Sequence, residues 1–315
     1  MPATMHYADQ LILSLRQREQ AYNVLVPVWD DTTASLMTDI DDATVHEVWE
    51  DTVTGAAVIR LGQTLPTSQA VQRQRIRIPF TQPRVTPHTL AGLLGLAFGQ
   101  VTSVQQPFLT SRRHALVPTS LVTSPSLSAM TGHQGHTYYQ YGGFKPAGWT
   151  LSWTTSSPYL AFTMPLVGSG SRTAIATPAT LPQVVQEPWV TLGHSRLWLT
   201  DVTDAPLTWP TTPPVQGVTN LSGTVLDVST RVLSWSVTQQ QALPESVGRV
   251  SAGLVSSTPY ARQRTWSVTL TLEVDTATEA DELGWYLTQH AWAMEWQWTS
   301  PEVIDPVIVL SLIHI

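Results

Sequence analysis

The side chains able to do chemistry are few and scattered in this 315-residue chain. It has no cysteine, which removes thiolate nucleophiles, thiolate metal sites and disulfides together. His133-Gln134-Gly135-His136 holds the one closely spaced histidine pair. A metal there wants a third N or O ligand, and no Asp or Glu occurs from Thr52 through Gln186. A polar loop is therefore expected, with no metal and no cofactor. Arg112-Arg113-His114 has the charge to hold a phosphate, but an exposed turn, or a contact with another subunit, is the better reading. Asp30-Asp31 and Asp41-Asp42 offer paired carboxylates for glycosidase or calcium chemistry. They lie in a Thr- and Asp-rich stretch without the glycine turn and closing Glu of a calcium loop, so a solvated face is expected. The phosphate-binding Gly-x-x-x-x-Gly-Lys-Ser/Thr, the Gly-x-Ser-x-Gly elbow and His-Glu-x-x-His are all missing. No enzyme is expected.

Composition then says what must position these residues. Charged residues make up 12% of the chain, about half the roughly 25% usual in globular proteins. Thr, Ser, Gln, Val and 13 Trp take their place, and Lys145 is the only lysine. Thr, Val and Trp suit a pleated, half-buried surface, while scarce Lys and Glu remove two good helix formers. The net charge of −7 argues against a free nucleic-acid binder, which shows a basic stripe. No apolar run approaches the ~20 residues that cross a bilayer, and no basic-then-apolar leader opens the chain, so a soluble, reducing-compartment product, or one assembled without covalent staples, is expected.

Charge falls in three blocks. Residues 1–51 hold ten acids and two arginines; residues 52–186 hold nine bases and no acid; residues 187–315 hold thirteen acids and five arginines. Three accounts stand: compositional drift, a protomer with opposed charged surfaces that meets copies of itself, or a basic DNA-facing block. The last is weakened because Arg73, Arg75 and Arg77 sit on an expected strand without an aromatic platform.

Period-two alternation predicts strands at Ile76–Phe80, Trp149–Trp153, Leu160–Met164, Leu233–Val237 and, most clearly, Trp266–Val274, whose other face carries Ser267, Thr269, Thr271 and Glu273. Thr86 caps a helix with Pro87 at its first position and Leu90, Leu93, Leu94 and Ala97 on one face. Thr276-Ala277-Thr278-Glu279 is a capping box opening a second helix. Gln10–Asn23 is helix or strand.

Two of these units look like copies. Arg73-Gln74-Arg75 and Arg262-Gln263-Arg264 each open a strand, followed at one fixed offset by a Thr-capped helix containing Leu-Gly (Leu94-Gly95, Leu283-Gly284). The Gly168–Ser171 and Pro178–Pro188 stretches read as linker. The expected division is residues 1–175 and 176–315, each a mainly β domain with one flanking helix.

The run Pro87-His88-Thr89-Leu90-Ala91-Gly92-Leu93-Leu94-Gly95-Leu96-Ala97-Phe98-Gly99, then Pro118-Thr119-Ser120, resembles the first half of the tail tube proteins of long-tailed bacteriophages. So do Tyr139-Gln140-Tyr141-Gly142-Gly143-Phe144-Lys145, Trp149-Thr150-Leu151-Ser152-Trp153 and Leu166-Val167-Gly168-Ser169-Gly170. Val228 to Val237 and Arg262 through Leu283 are similar to the family's closing strands and helix. The resemblance implies tandem β-sandwich or half-barrel domains whose sheets join neighbours to line a tube. It implies a structural virion protein of the tail, made in the host cytoplasm, whose partners are itself, the tape-measure protein and other tail proteins. Three two-domain chains then complete a pseudo-sixfold ring, rings stack head to tail, and genomic DNA passes without specific binding or any membrane. On this reading Arg73, Arg75 and Arg77 lie at subunit contacts. The long loops carrying Asp41 and Asp42, and Arg112 and Arg113, reach neighbouring rings.

Other readings remain open. A two-domain β-sandwich adhesin would present two or three tryptophans on one concave face to carbohydrate; a tube terminator or distal tail protein shares the same fold; a hydrolase would use a loop Asp pair. Leu310-Ser311-Leu312-Ile313-His314-Ile315 reads as an in-frame translation of a transposase end used in sequencing libraries, so Ile308 or Val309 is the expected last natural residue. A final strand is the alternative.

Overall fold

The computed structural model describes residues 10–36, 46–50, 73–105, 112–119, 125–132, 138–169, 171–176, 178, 181–183, 188–202, 218–219, 221, 223–241, 243, 263–274, 291–299 and 307–312. In chain order the elements are β1 (Gln10–Leu13), β2 (Ser35–Leu36), β3 (His46–Glu50), β4 (Arg73–Gln82), α1 (Pro87–Phe98), β5 (Gly99–Gln105) and β6 (Arg112–Pro118). There follow β7 (Leu127–Gly132), β8 (Tyr138–Pro146), β9 (Gly148–Thr154), β10 (Ser157–Gly168), β11 (Arg172–Ile175) and β12 (Ser195–Asp201). The last are β13 (Val225–Asp227), β14 (Val232–Gln241), β15 (Arg264–Leu272), β16 (Trp292–Thr299) and β17 (Val307–Leu312). The protein is mainly β, with one α-helix among the described residues.

Eleven strands form one branched sheet. Its long run, β15-β14-β9-β10-β4-β3, is antiparallel at every step. On the β9 side, β10 also meets β8, which continues through β7, β1 and β2, with β11 beside β8. A second sheet runs β13-β12-β16-β17, and β5 and β6 make a separate hairpin.

Strict alternation along β9, β10 and β14 sends Trp149, Leu151, Trp153, Leu160, Phe162, Met164, Trp235 and Val237 to one face, all buried. The second sheet packs there through Leu197, Leu199, Met294, Trp296 and Trp298, with the Trp235 and Trp296 rings 5.4 Å apart. Helix α1 closes the same core with Leu90, Leu93, Leu94 and Leu96. Its ends follow the sequence: Thr86 Oγ1 accepts from Thr89 N at 3.3 Å, Pro87 fills the first position, and Gly99 at φ 93 terminates it. A Cβ at Gly99 would lie 2.3 Å from Thr119 Oγ1, so glycine serves both the backbone turn and the fit.

Three expectations need detail. Gln10–Asn23 begins as β1 and continues as irregular chain. Leu233, expected inside with Trp235 and Val237, is 40% exposed, because the β14–β15 register shifts between Val232 and Ser234 and Val232 turns inward instead. Residues 307–312, which take in Leu310, Ser311 and Leu312 of the suspect C-terminal segment, pair along β16 from Thr299↔Val307 to Met294↔Leu312. The second capping box and its helix lie outside the described residues.

The two-domain division is not confirmed. β14, from the second half, pairs with β9 from the first over Ser234↔Thr154 to Gln240↔Gly148, and one apolar cluster draws on both. Trp235 faces Trp153 across that ladder. Trp235→Ala is therefore expected to cost about 3–5 kcal/mol and to lower a single calorimetric transition. Two separately melting units, only one of them shifted, would show that the halves fold independently.

Candidate assembly interface

Among the described residues no three His, Cys, Asp or Glu side chains group to hold a metal. The paired-acid loop is a turn: Asp30 Oδ1 accepts from Thr32 N at 2.8 Å and Thr32 Oγ1 at 2.6 Å, and Asp31 Oδ1 accepts from Gln183 N at 2.6 Å. Those donors hold the Asp30 carboxyl below its ordinary value. Asp41, Asp42, His133 and His136 lie outside the described residues.

The arginines named from the sequence fall on two separate strands, β4 and β6. Arg73, Arg75 and Arg77 occupy β4 opposite Glu50, Val48 and His46 of β3, and Arg77 is exposed. Arg112 and Arg113, expected in a turn or long loop, instead begin β6, opposite Gln105 and Val104 at the connecting-loop end of the β5–β6 hairpin. The structure does not bring the two groups together.

Register assembles something alternation alone does not reveal. Thr81, Thr163, Thr150, Thr238 and Ser267 are successive partners across β4, β10, β9, β14 and β15. Ser152, Ser236 and Thr269 make a second row, and Thr154, Ser234 and Thr271 a third. These hydroxyls lie on the face opposite the tryptophans, half-buried to exposed, with Thr150 Oγ1 and Thr238 Oγ1 3.1 Å apart. On β9, β14 and β15 this face carries no formal charge until Glu273, just past the strand end. On β4 the same face carries exposed Arg77, four residues before Thr81. Only the β9–β14–β15 part of the surface therefore hydrogen-bonds without offering a polyanion an ion pair.

The run ends on one side at β15, which pairs only with β14 among the described strands. Its apolar flank is poorly covered: Trp266 is 42% and Val274 61% exposed, and Val268, Leu270 and Leu272 are half-buried. The other end is β3. Six strands alternating in direction leave these two edges antiparallel to one another.

The tryptophans bear on the carbohydrate alternative. Trp29, Trp149, Trp153, Trp198, Trp235, Trp296 and Trp298 are buried, Trp189 and Trp292 half-buried, and Trp266 alone among those described is exposed. The chain matches no known family model and no curated protein sequence.

A buried polar hub fixes the N-terminal segment to the sheet. Glu19, 8% exposed, accepts at one carboxylate oxygen from Ser128 Oγ and Gly143 N, both at 2.8 Å. The other oxygen accepts from Ser126 Oγ at 2.6 Å and Asn23 N at 2.9 Å. Gly143 reaches it by adopting φ 71, and a Cβ there would lie 2.8 Å from Ser169 Cβ. Lys145 is buried beside this hub, its Nζ 5.6 Å from the centre of the Tyr22 ring.

Burial lowers the Lys145 pKa from its ordinary 10.5, partly opposed by the Glu19 charge. Between that depressed value and 10.5 the unfolded chain binds the extra proton, so stability rises with pH across this window. Below it the cost of burying the cation is fully present. Lys145→Met should flatten this alkaline arm in denaturant titrations taken at several pH values; an unchanged arm would show that Lys145 is solvated.

Proposed function

We propose that this chain is a structural protein that assembles edge to edge into rings, stacked as a tube through which DNA passes. The observation that carries this reading is the β15 edge: nine residues, unpaired on one side among the described strands, flanked by half-exposed Trp and aliphatic side chains. In a monomer such an edge invites uncontrolled pairing, and proteins usually blunt it with lysine, proline or a bulge. The only lysine here is buried elsewhere, and β15 has no proline.

Polarity supports a ring over a two-fold dimer. Because β15 and β3 run in opposite directions, copies related by rotation about one axis set β15 of one beside β3 of the next as an antiparallel pair. Every copy then keeps its hydroxyl face on the same side. Head-to-tail contacts of this kind close into rings when the rotation allows. The inward surface would be centred on the uncharged Ser/Thr rows of β9, β14 and β15, over which a phosphate backbone slides without releasing counterions. Arg77, on the same face, would stand at the β4–β3 margin, where the next copy pairs. The resemblance to tail tube proteins supplies the biological setting, and the tape-measure protein is the expected further partner.

Val268→Lys puts a charge on the apolar flank of the edge. Wild-type protein at rising concentration should give rings or tubes by negative-stain microscopy. The variant should stay monomeric by sedimentation velocity, folded but with a lowered unfolding midpoint, since half-buried Val268 packs against the core. A wild-type chain that remains monomeric and binds glycans overturns the proposal in favour of an adhesin.

A further inference from the structure

At the foot of β15, on the apolar face of the sheet, three side chains are tied together and still leave polar hydrogens over. Arg264 donates from Nε to Gln241 Oε1 at 3.1 Å and from Nη1 to the Thr119 carbonyl at 2.8 Å. Its last nitrogen, Nη2, is buried without a hydrogen-bond partner, and so are Gln241 Nε2 and Thr119 Oγ1. Gln241 is 2% exposed. Native proteins seldom leave buried polar atoms unmatched, since each costs its full desolvation. Here three occur in one bonded group.

The chemistry of the leftovers is one-sided. A guanidinium and a carboxamide nitrogen only donate, and a hydroxyl can turn to donate. Nε and Nη2 lie along one edge of a guanidinium, so Nη2 faces the side on which Gln241 sits. Among the described residues no carboxylate lies against Arg264, and burial holds its guanidinium below the ordinary value. An uncompensated, partly buried cation is costly until an anion joins it. The neighbouring wall is aromatic. The Trp149 and Trp266 rings meet edge-on at 5.6 Å, and Phe98 lies 5.6 Å from Trp266. Arg264 and Thr119 themselves are half-buried, which leaves a way in.

The geometry points to an anion site in which Arg264, Gln241 and Thr119 take a single carboxylate group, free in solution or carried by a second copy of the chain. A flat carboxylate places one oxygen on Arg264 Nη2 and the other on Gln241 Nε2. A carboxylate is planar like the guanidinium edge and the carboxamide it would face, and it brings the single charge that one guanidinium needs. The free-carboxylate arm stands without the assembly reading; the second-copy arm rests on it.

The test uses the full chain in thermal unfolding at neutral pH, with sodium acetate compared against sodium chloride at equal ionic strength. With a free carboxylate, acetate raises the wild-type midpoint by about 2–4 °C over chloride, and Arg264→Gln loses that difference. Gln241→Glu, nearly isosteric, carries a carboxylate into the site itself. It should raise the midpoint in chloride and abolish the acetate response. If acetate does nothing to dilute wild type, but the midpoint climbs with protein concentration and Arg264→Gln and Gln241→Glu each remove that climb, the carboxylate belongs to a second copy. Three results overturn the site. One is an acetate effect equal in wild type and both variants. Another is Gln241→Glu lowering the midpoint. The third is neither an acetate response nor a concentration dependence that needs Arg264. Rings that form normally in Arg264→Gln while acetate still stabilises wild type would discard the second-copy arm alone and leave the assembly reading intact.

Discussion

The ladder between β9 and β14 is the contact on which the rest of the architecture depends. It sets Trp153 against Trp235 and Leu151 against Val237 on one face, and Ser152 against Ser236 and Thr150 against Thr238 on the other. A slip of one residue would exchange the two faces, burying hydroxyls and exposing tryptophans. The apolar pairs therefore hold the register, and the register in turn builds the hydroxyl rows. The same ladder joins chain from both sides of the Ser169–Glu187 stretch, and Trp235 passes the packing on to Trp296 of the second sheet.

Scarcity of charge links that core to the proposed assembly. A soluble monomer keeps its sheet edges apart with lysines and its faces apart with mixed charge. This chain spends its one lysine inside, beside Glu19, and lines the open face of its longest run with Ser and Thr. Several arginines stand at margins: Arg77 opposite the β3 edge, Arg112 and Arg113 at the loop end of a hairpin, Arg264 at the foot of β15. A surface of this kind is better suited to defined neighbours than to free solution.

Much of the fold was legible from period and punctuation. The Thr86-Pro87 start of α1 and the alternation of β4, β9, β10 and β15 needed only local physics, because each carries its own signal of caps or period two. Leu233 misled, since a bulge is a property of two strands and leaves no mark on one. The hydroxyl rows were half visible. Ser267, Thr269 and Thr271 alternate openly, but nothing local says that Thr81 and Thr163 share their row, which only long-range register decides. Gln241 carried no signal at all; its importance comes from a neighbour 23 residues away.

Buried Lys145 and half-buried Arg264 show where the molecule is finished and where it is not. Lys145 lies against an aromatic ring with the Glu19 charge acting on it, and that carboxylate is itself met by four donors. The N-terminal segment is thus locked onto its sheet by groups the chain supplies to itself. Arg264 has equal need of a counter-charge and receives only a carbonyl and a carboxamide oxygen, both neutral. That shortfall sits at the start of the strand whose outer edge is unpaired and beside the one exposed tryptophan among those described. Unmet polar groups, an open ladder and uncovered apolar surface are independent costs. Among the described residues they meet on one strand, and the proposed pairing with a second copy would relieve them together.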